Sequence, residues 1–311
     1  MNKIVPILCL IVLASGAAWA AAMGTSTHSV IPSEVQQIIS VDYRALRNSE
    51  VAQSLKAQVL PDTLKEFEES LRTVGIDTEK DLEQLTFASY RTKANGLRIV
   101  GVAQGQFTPK TVTRKLRLKK VKPTRYQDAF LYPMGSGMEM TFLDESTLLF
   151  GDIGAVKGAI DARNGAVPSL DSNSQINDMI DAVQSEPVWS VLDAQGTQNM
   201  MHSALGQAAQ LSDYNVIKKR LLGSRYVMNF NNGVKFDLDV VTSDSMMAAT
   251  LSSLVKAGMM YRKMAATPTE KMALEGVSVE SDSSLLKLHF KTDNNRFESL
   301  LHSDLFAAVS R

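Results

Sequence analysis

IISVDYRALRNSEVAQSL (Ile38–Leu55) and VWSVLDAQGTQNMMHSAL (Val188–Leu205) read as one strand-to-helix segment written twice without a gap, once in each half of the chain. Outward from these segments the two halves keep the same order. In the first half, Val35–Val41 is a strand, and Ser49–Val59 and Asp62–Val74 are helices. Phe67, Leu71 and Val74 recur at helical spacing, and Gly75 follows where the chain must leave the helix. After a helical turn over Thr78–Gln84, Leu85–Tyr90 and Leu97–Gln106 flank Ala94-Asn95-Gly96, whose Asn-Gly pair suits a tight hairpin turn. Thr108 and Pro109 open a helix as N-cap and first helical residue. Strands over Met138–Leu143 and Thr147–Phe150 and a helix over Ala155–Ala162 complete the half.

The second half repeats this with a strand over Pro187–Leu192 and helices over Thr197–Ala209 and Asn215–Leu222, the latter closed by Gly223. A hairpin, Arg225–Phe230 with Val234–Val241, turns at Asn231-Asn232-Gly233. Val234, Phe236, Leu238 and Val240 alternate with Lys235, Asp237 and Asp239, so that strand has one buried and one wet face. A helix over Met246–Arg262, strands over Ala273–Glu280 and Ser284–Phe290, and a helix over Arg296–Ala308 follow. The expected fold is α+β: two tandem related lobes, each β-α-β-β-α-β-β-α, a mostly antiparallel sheet with helices on one face. The boundary falls in Asn164–Ser174, rich in Gly, Pro, Ser, Asn and Asp, which gives lobes of residues 23–168 and 169–311.

GIDTEKDLEQLTFAS (Gly75–Ser89), a hairpin, and then FLDESTLLFGDIGAVKGAIDAR (Phe142–Arg163) resemble a group of exported bacterial proteins of unknown function. The resemblance covers the first half and extends weakly to the second, which lacks the Gly75–Gln84 insert. It implies a duplicated α+β unit and brings no catalytic residues with it.

The N-terminus agrees with export. Lys3 gives a basic start, Ile4–Val12 an apolar run, and Ala18-Trp19-Ala20 a small-x-small cleavage motif, so residues 1–22 read as a signal peptide. The expected location is periplasmic or extracellular, with no transmembrane span after cleavage. Cys9, the one cysteine, lies inside the apolar run, so the processed chain has no disulfide, thiolate nucleophile or cysteine-ligated metal. Basic and acidic residues balance at 33 each, and loss of Lys3 leaves one acid in excess. Global charge therefore points to no polyanion or membrane partner. An apolar share of 44% and a charged share of 21% are those of a folded protein, with disorder expected only over Met23–His28.

A search for chemistry finds little. The four histidines, His28, His202, His289 and His302, form no metal-binding spacing, and no Gly-x-Ser-x-Gly elbow exists. Asp144-Glu145 reads as a turn, Asp237 and Asp239 as the polar face of a strand, and Asp152 and Asp293 as helix caps. Gly151-Asp152-Ile153-Gly154 lacks the Gly-Lys-Ser/Thr ending of a phosphate loop. No catalytic residue, cofactor or metal is assigned.

One local anomaly stands out. Lys110, Arg114, Lys115, Arg117, Lys119, Lys120, Lys122 and Arg125 fall in sixteen residues without an acid. Such a run suits anionic lipid head groups or phosphate polymers, whereas the lack of aromatics before Tyr126 argues against nucleic acid. The blander alternative is a solvated helix face anchored by Val112 and Leu116. The matching helix of the second half carries Met246, Met247, Met259, Met260 and Met264 instead, which read as core before partner surface. The expected role is therefore non-enzymatic, binding or structural, with an envelope protein or an anionic envelope polymer or lipid as partner. The alternative is a hydrolase of envelope material with its site between the lobes.

Overall fold

Asp42 and Asp193 each end a strand and cap the helix that follows, and their two strands lie side by side at the centre of one sheet. The computed structural model describes residues 23–47, 49–59, 62–92, 96–135, 137–205 and 214–301. The signal-peptide reading of residues 1–22, Asn95 of the first hairpin turn, and His302 lie outside these.

The first half begins with α1 (Thr25–Val30), β1 (Val35–Asp42), α2 (Tyr43–Leu46), α3 (Glu50–Val59), α4 (Asp62–Val74) and α5 (Thr78–Asp81). β2 (Leu82–Thr92) and β3 (Gly96–Gly105) form a hairpin, followed by α6 (Pro109–Leu118), β4 (Thr124–Tyr126) and β5 (Ala129–Pro133). β6 (Met138–Phe142), β7 (Thr147–Asp152) and α7 (Ile153–Arg163) close the half, and α8 (Ser174–Asp181) leads into the next. The second half runs β8 (Val188–Asp193), α9 (Ala194–Leu205), α10 (Tyr214–Lys218), β9 (Leu221–Asn229) and β10 (Val234–Thr242). It continues α11 (Ser245–Ala265), α12 (Pro268–Glu275), β11 (Val277–Asp282), β12 (Leu285–Thr292) and α13 (Asn294–Leu301).

Among the described residues twelve strands form one antiparallel sheet, ordered β11-β12-β10-β9-β8-β1-β2-β3-β7-β6-β5-β4. Outward from the β1–β8 joint, β1-β2-β3-β7-β6 and β8-β9-β10-β12-β11 follow the same order. The joint pairs Gln37 with Leu192 through Val41 with Val188. Asp42 accepts from the Ala45 N–H (3.0 Å) and Asp193 from the Gly196 N–H (2.7 Å). These matching caps make Asp42 and Asp193 equivalent, one residue away from the gapless match of the two sequences. The slip matters because a one-residue shift would send every side chain to the other face.

Cross-strand partners trace both faces of the sheet. On one, Phe87, Ile39, Ser190, Tyr226, Leu238 and Leu288 stand in a row across six strands. Helices of both halves cover this face. Phe67 and Leu71 of α4 and Val112 and Leu116 of α6 pack on Leu85, Leu148 and Phe150. Met247 and Leu251 of α11 pack on Val240 and Leu286, and Phe297 of α13 packs with Val51 of α3 and Val234. On the opposite face the row runs Ala88, Ile38, Val191, Arg225, Asp239 and Lys287, apolar at the joint and charged beyond it. A second helical layer of α1, α7 and α8 covers only its apolar part, with Ile38, Trp189, Val156, Ile160 and Ile180 in one core. The charged part pairs with itself, as in Arg225 with Asp239 at 2.9 Å. The helix after β7 thus packs on one face and the helix after β12 on the other, so the halves share strand order but not every helix position.

Several expectations are corrected. Met23–His28 is not disordered: Thr25–Val30 is helical, and Thr27 and Val30 are fully buried. Ala273–Glu275, expected to start a strand, instead end α12, which Thr267 and Glu270 open with a reciprocal capping box around Pro268. Gly223 closes no helix. It lies within β9, where an added Cβ would press on Met179 Sδ at 3.0 Å and on the Leu192 carbonyl at 3.1 Å.

Candidate anion-binding surface

The basic run is built on α6. Pro109 occupies the first turn, and Thr108 precedes it without a side-chain cap bond. Val112 and Leu116 are 1% exposed and pin the helix to the sheet. Lys110, Arg114 and Arg117 face solvent, while Lys115 is half-buried beside Gly75, which leaves α4 with φ +93°. The helix then stops sharply. Lys120 takes φ +60°, its N–H donates to Arg117 O (2.9 Å), and Val121 N–H donates to Leu116 O (3.0 Å). That bond pair defines a Schellman ending, here with lysine where glycine is usual. It places Lys119, Lys120 and Lys122 together on the exposed turn.

The run ends on a small hairpin. Arg125 of β4 faces Phe130 of β5 directly across the ladder. Successive strand side chains alternate, so Phe130 shares a face with Tyr132, which packs in the α6 core, while Leu131 enters the opposite core. Arg125 and Phe130 therefore emerge on the face that α6 covers. Phe130 is 51% exposed, and Leu118, at the end of α6, is 77% exposed. The hairpin's own acid is engaged away from the run: Asp128 bonds Arg163 and Asn164. Asp161 of α7 accepts from Tyr126 Oη at 2.9 Å. Among the described residues none of the eight cations forms an ion pair. The structure thus brings all eight expected residues onto one helix, its terminal turn and the adjoining hairpin, seven of them exposed. Sequence reasoning missed Leu118 and Phe130, because neither shows in a charge pattern.

The other singled-out residues settle elsewhere. Asp144 holds its turn by accepting from Ser146 N–H (2.7 Å), and Asp152 caps α7 while pairing with Arg98 at 2.8 Å. His289 on β12 is held between Asp237 Oδ1 on Nδ1 (2.7 Å) and Glu280 Oε1 at 3.4 Å from Nε2. The Asp237 hydrogen bond, with Glu280 beyond it, raises the imidazole pKa above its ordinary value. At the β1–β8 joint, Gln37 donates to Ser190 (3.3 Å) and Arg91 pairs with Asp193 (2.9 Å). Met247 is core, whereas Met246, Met260 and Met264 are exposed. A cavity of about 30 Å³ lies under α4, lined by Phe67, Leu71, Leu85, Phe87 and Phe150. Its lining is almost wholly apolar, so it offers a polar ligand nothing to bond.

In fold the chain is similar to TP0453. Crystal form I of that protein superimposes with a TM-score of 0.51 at 8% identity, covering 92% of this chain and all of the other. Crystal form III gives 0.49 at 6% identity, covering 88% and 96%. At such identity the likeness to TP0453 is one of architecture alone. No protein-family model and no curated protein matches the chain, so the resemblance read from Gly75–Ser89 and Phe142–Arg163 has no family behind it. Among the described residues no helix is long and apolar enough to cross a membrane.

Proposed function

We propose that this is an exported envelope protein whose role is binding rather than catalysis, and that it holds anionic phosphate groups of the envelope on the α6 surface. Export is supported by the signal-peptide pattern and by the absence of cysteine after Cys9. The two-lobe division and its origin in a duplicated unit belong to the same reading, supported by the shared strand order on either side of the joint.

The single observation that carries the ligand class is the set of unpaired cations. Elsewhere on this protein cations either sit against carboxylates, as Arg220 with Asp244 (2.9 Å), or stand singly and exposed without an ion pair, as Lys235, Lys256 and Lys271 do. Only across Lys110–Arg125, among the described residues, do eight unpaired cations fall within sixteen residues that hold no acid. Uncompensated positive charge held on a rigid helix and turn repels itself, and a polyanion removes that repulsion. Each cation near an anionic surface contributes about 1 kcal/mol.

The test is binding of inorganic polyphosphate by the full chain. The variant carries Lys110→Gln, Arg114→Gln, Arg117→Gln, Lys119→Gln and Lys122→Gln, all at exposed positions. It should lose at least about a hundredfold in affinity, and wild-type binding should weaken steeply with salt. Equal affinity in the two proteins overturns the reading.

A further inference from the structure

We infer that the natural ligand of the α6 surface is a lipid bilayer rich in anionic head groups, into which Leu118 and Phe130 insert. The inference rests on the anion-binding reading and adds the source of the phosphates. A soluble polyanion needs only charge. A bilayer also offers an apolar layer just beneath its charges, and a surface made for it carries apolar side chains set among cations.

This surface has that composition at two separate points. Leu118 ends α6 between Arg117 and Lys119 and is 77% exposed, although Leu116, two residues earlier, is 1% exposed. Phe130 stands opposite Arg125 across the β4–β5 ladder and is 51% exposed, although Leu131 beside it is fully buried. Folding leaves both in water while burying their neighbours, so neither serves the core. Both belong to the side of the sheet that α6 covers, and the basic turn Lys119–Lys122 links them along the chain. On the nearest helix, α4, Glu68 is held by Lys56 (3.2 Å) and Tyr43 (3.3 Å) and Glu69 by Arg72 (3.4 Å). Glu66 is exposed without an ion pair among the described residues, one free acid against the eight cations of the run. Cations that reach the head groups and two apolar side chains that reach the acyl boundary complement an anionic bilayer in charge and polarity together.

The experiment uses the full chain with phosphatidylglycerol-containing vesicles, neutral phosphatidylcholine vesicles and soluble polyphosphate. Any contribution of residues 1–22 is common to every variant and to both vesicle types. Wild type should prefer the anionic vesicles. Leu118→Ser with Phe130→Ser should weaken anionic-vesicle binding at least about tenfold and leave polyphosphate affinity unchanged. Retained vesicle binding by that double variant overturns the inference and leaves the anion-binding reading intact. Loss of neither ligand by the five-glutamine variant overturns both. As an independent readout, Phe130→Trp should show tryptophan quenching by brominated acyl chains beyond that of wild type. No added quenching rejects insertion.

Discussion

His289 shows how one residue ties three strands together. Its Cα lies opposite Asp237 on β10 and Ser278 on β11, and its ring nitrogens face two carboxylates. Lys287 and Asp239 stand beside it on the same face, so the local field holds charges of both signs. The native pKa lies above the ordinary 6.5, chiefly through the Asp237 bond. The folded state therefore holds the proton more tightly than the unfolded chain. That stabilisation is complete below about pH 6.5 and is lost as pH rises through the higher native value. His289 is 40% exposed, and solvent screening keeps the effect small. A thermal unfolding series from about pH 5.5 to about pH 8.5 checks it. The stability gap between wild type and His289→Gln should narrow as pH rises, and a widening gap would refute the assignment.

At the scale of the element, the ending of α6 decides where the cations go. Lys120 adopts a left-handed conformation that costs an L-residue roughly 1–2 kcal/mol. Lys120→Gly relieves most of that strain while keeping both Schellman bonds, so chemical denaturation should show a gain of about 1 kcal/mol. A loss of stability would mean that the lysine side chain itself holds the turn. How far such elements could be read from sequence depended on what signals them. α4 follows a clean 3.6-residue period, and its structural limits are the expected Asp62 and Val74. β10 follows a clean alternation, and its turn has Asn232 and Gly233 at positive φ as an Asn-Gly hairpin requires. β4 and β5 went unread because they have three and five residues, one inside the basic run, and owe their pairing to the rest of the sheet. The end of α12 was misread because the alternating valines Val277 and Val279 drew the strand backward over Ala273–Glu275. The eight cations of the candidate surface were legible as composition. Leu118 and Phe130 were not, since exposure of an apolar residue is decided by where its neighbours pack.

At the scale of the molecule, the β1–β8 ladder makes the expected lobes parts of one sheet. Ile38 and Val191 from its two strands share a core with α7 and α8, which lie on either side of the boundary segment. Asn173 Nδ2 in that segment donates to Ser33 O (2.9 Å), and Leu170 N–H donates to Ile31 O (2.7 Å). Halves joined this way should not unfold separately. In urea, the chain from residue 23 onward, whose one tryptophan is the buried Trp189, should report one shared midpoint by fluorescence and by far-UV circular dichroism. Midpoints more than about 0.5 M apart would show two independent units.

The central ladder also sets a timetable for synthesis. β1 leaves the ribosome long before β8 is made, and only its pairing with β2 is available early. One rim of what becomes the middle strand of the sheet stays open throughout that interval, with its amide and carbonyl groups free to recruit another chain. Whatever escorts the nascent polypeptide must shield that rim or keep the whole chain unfolded until its C-terminal half arrives.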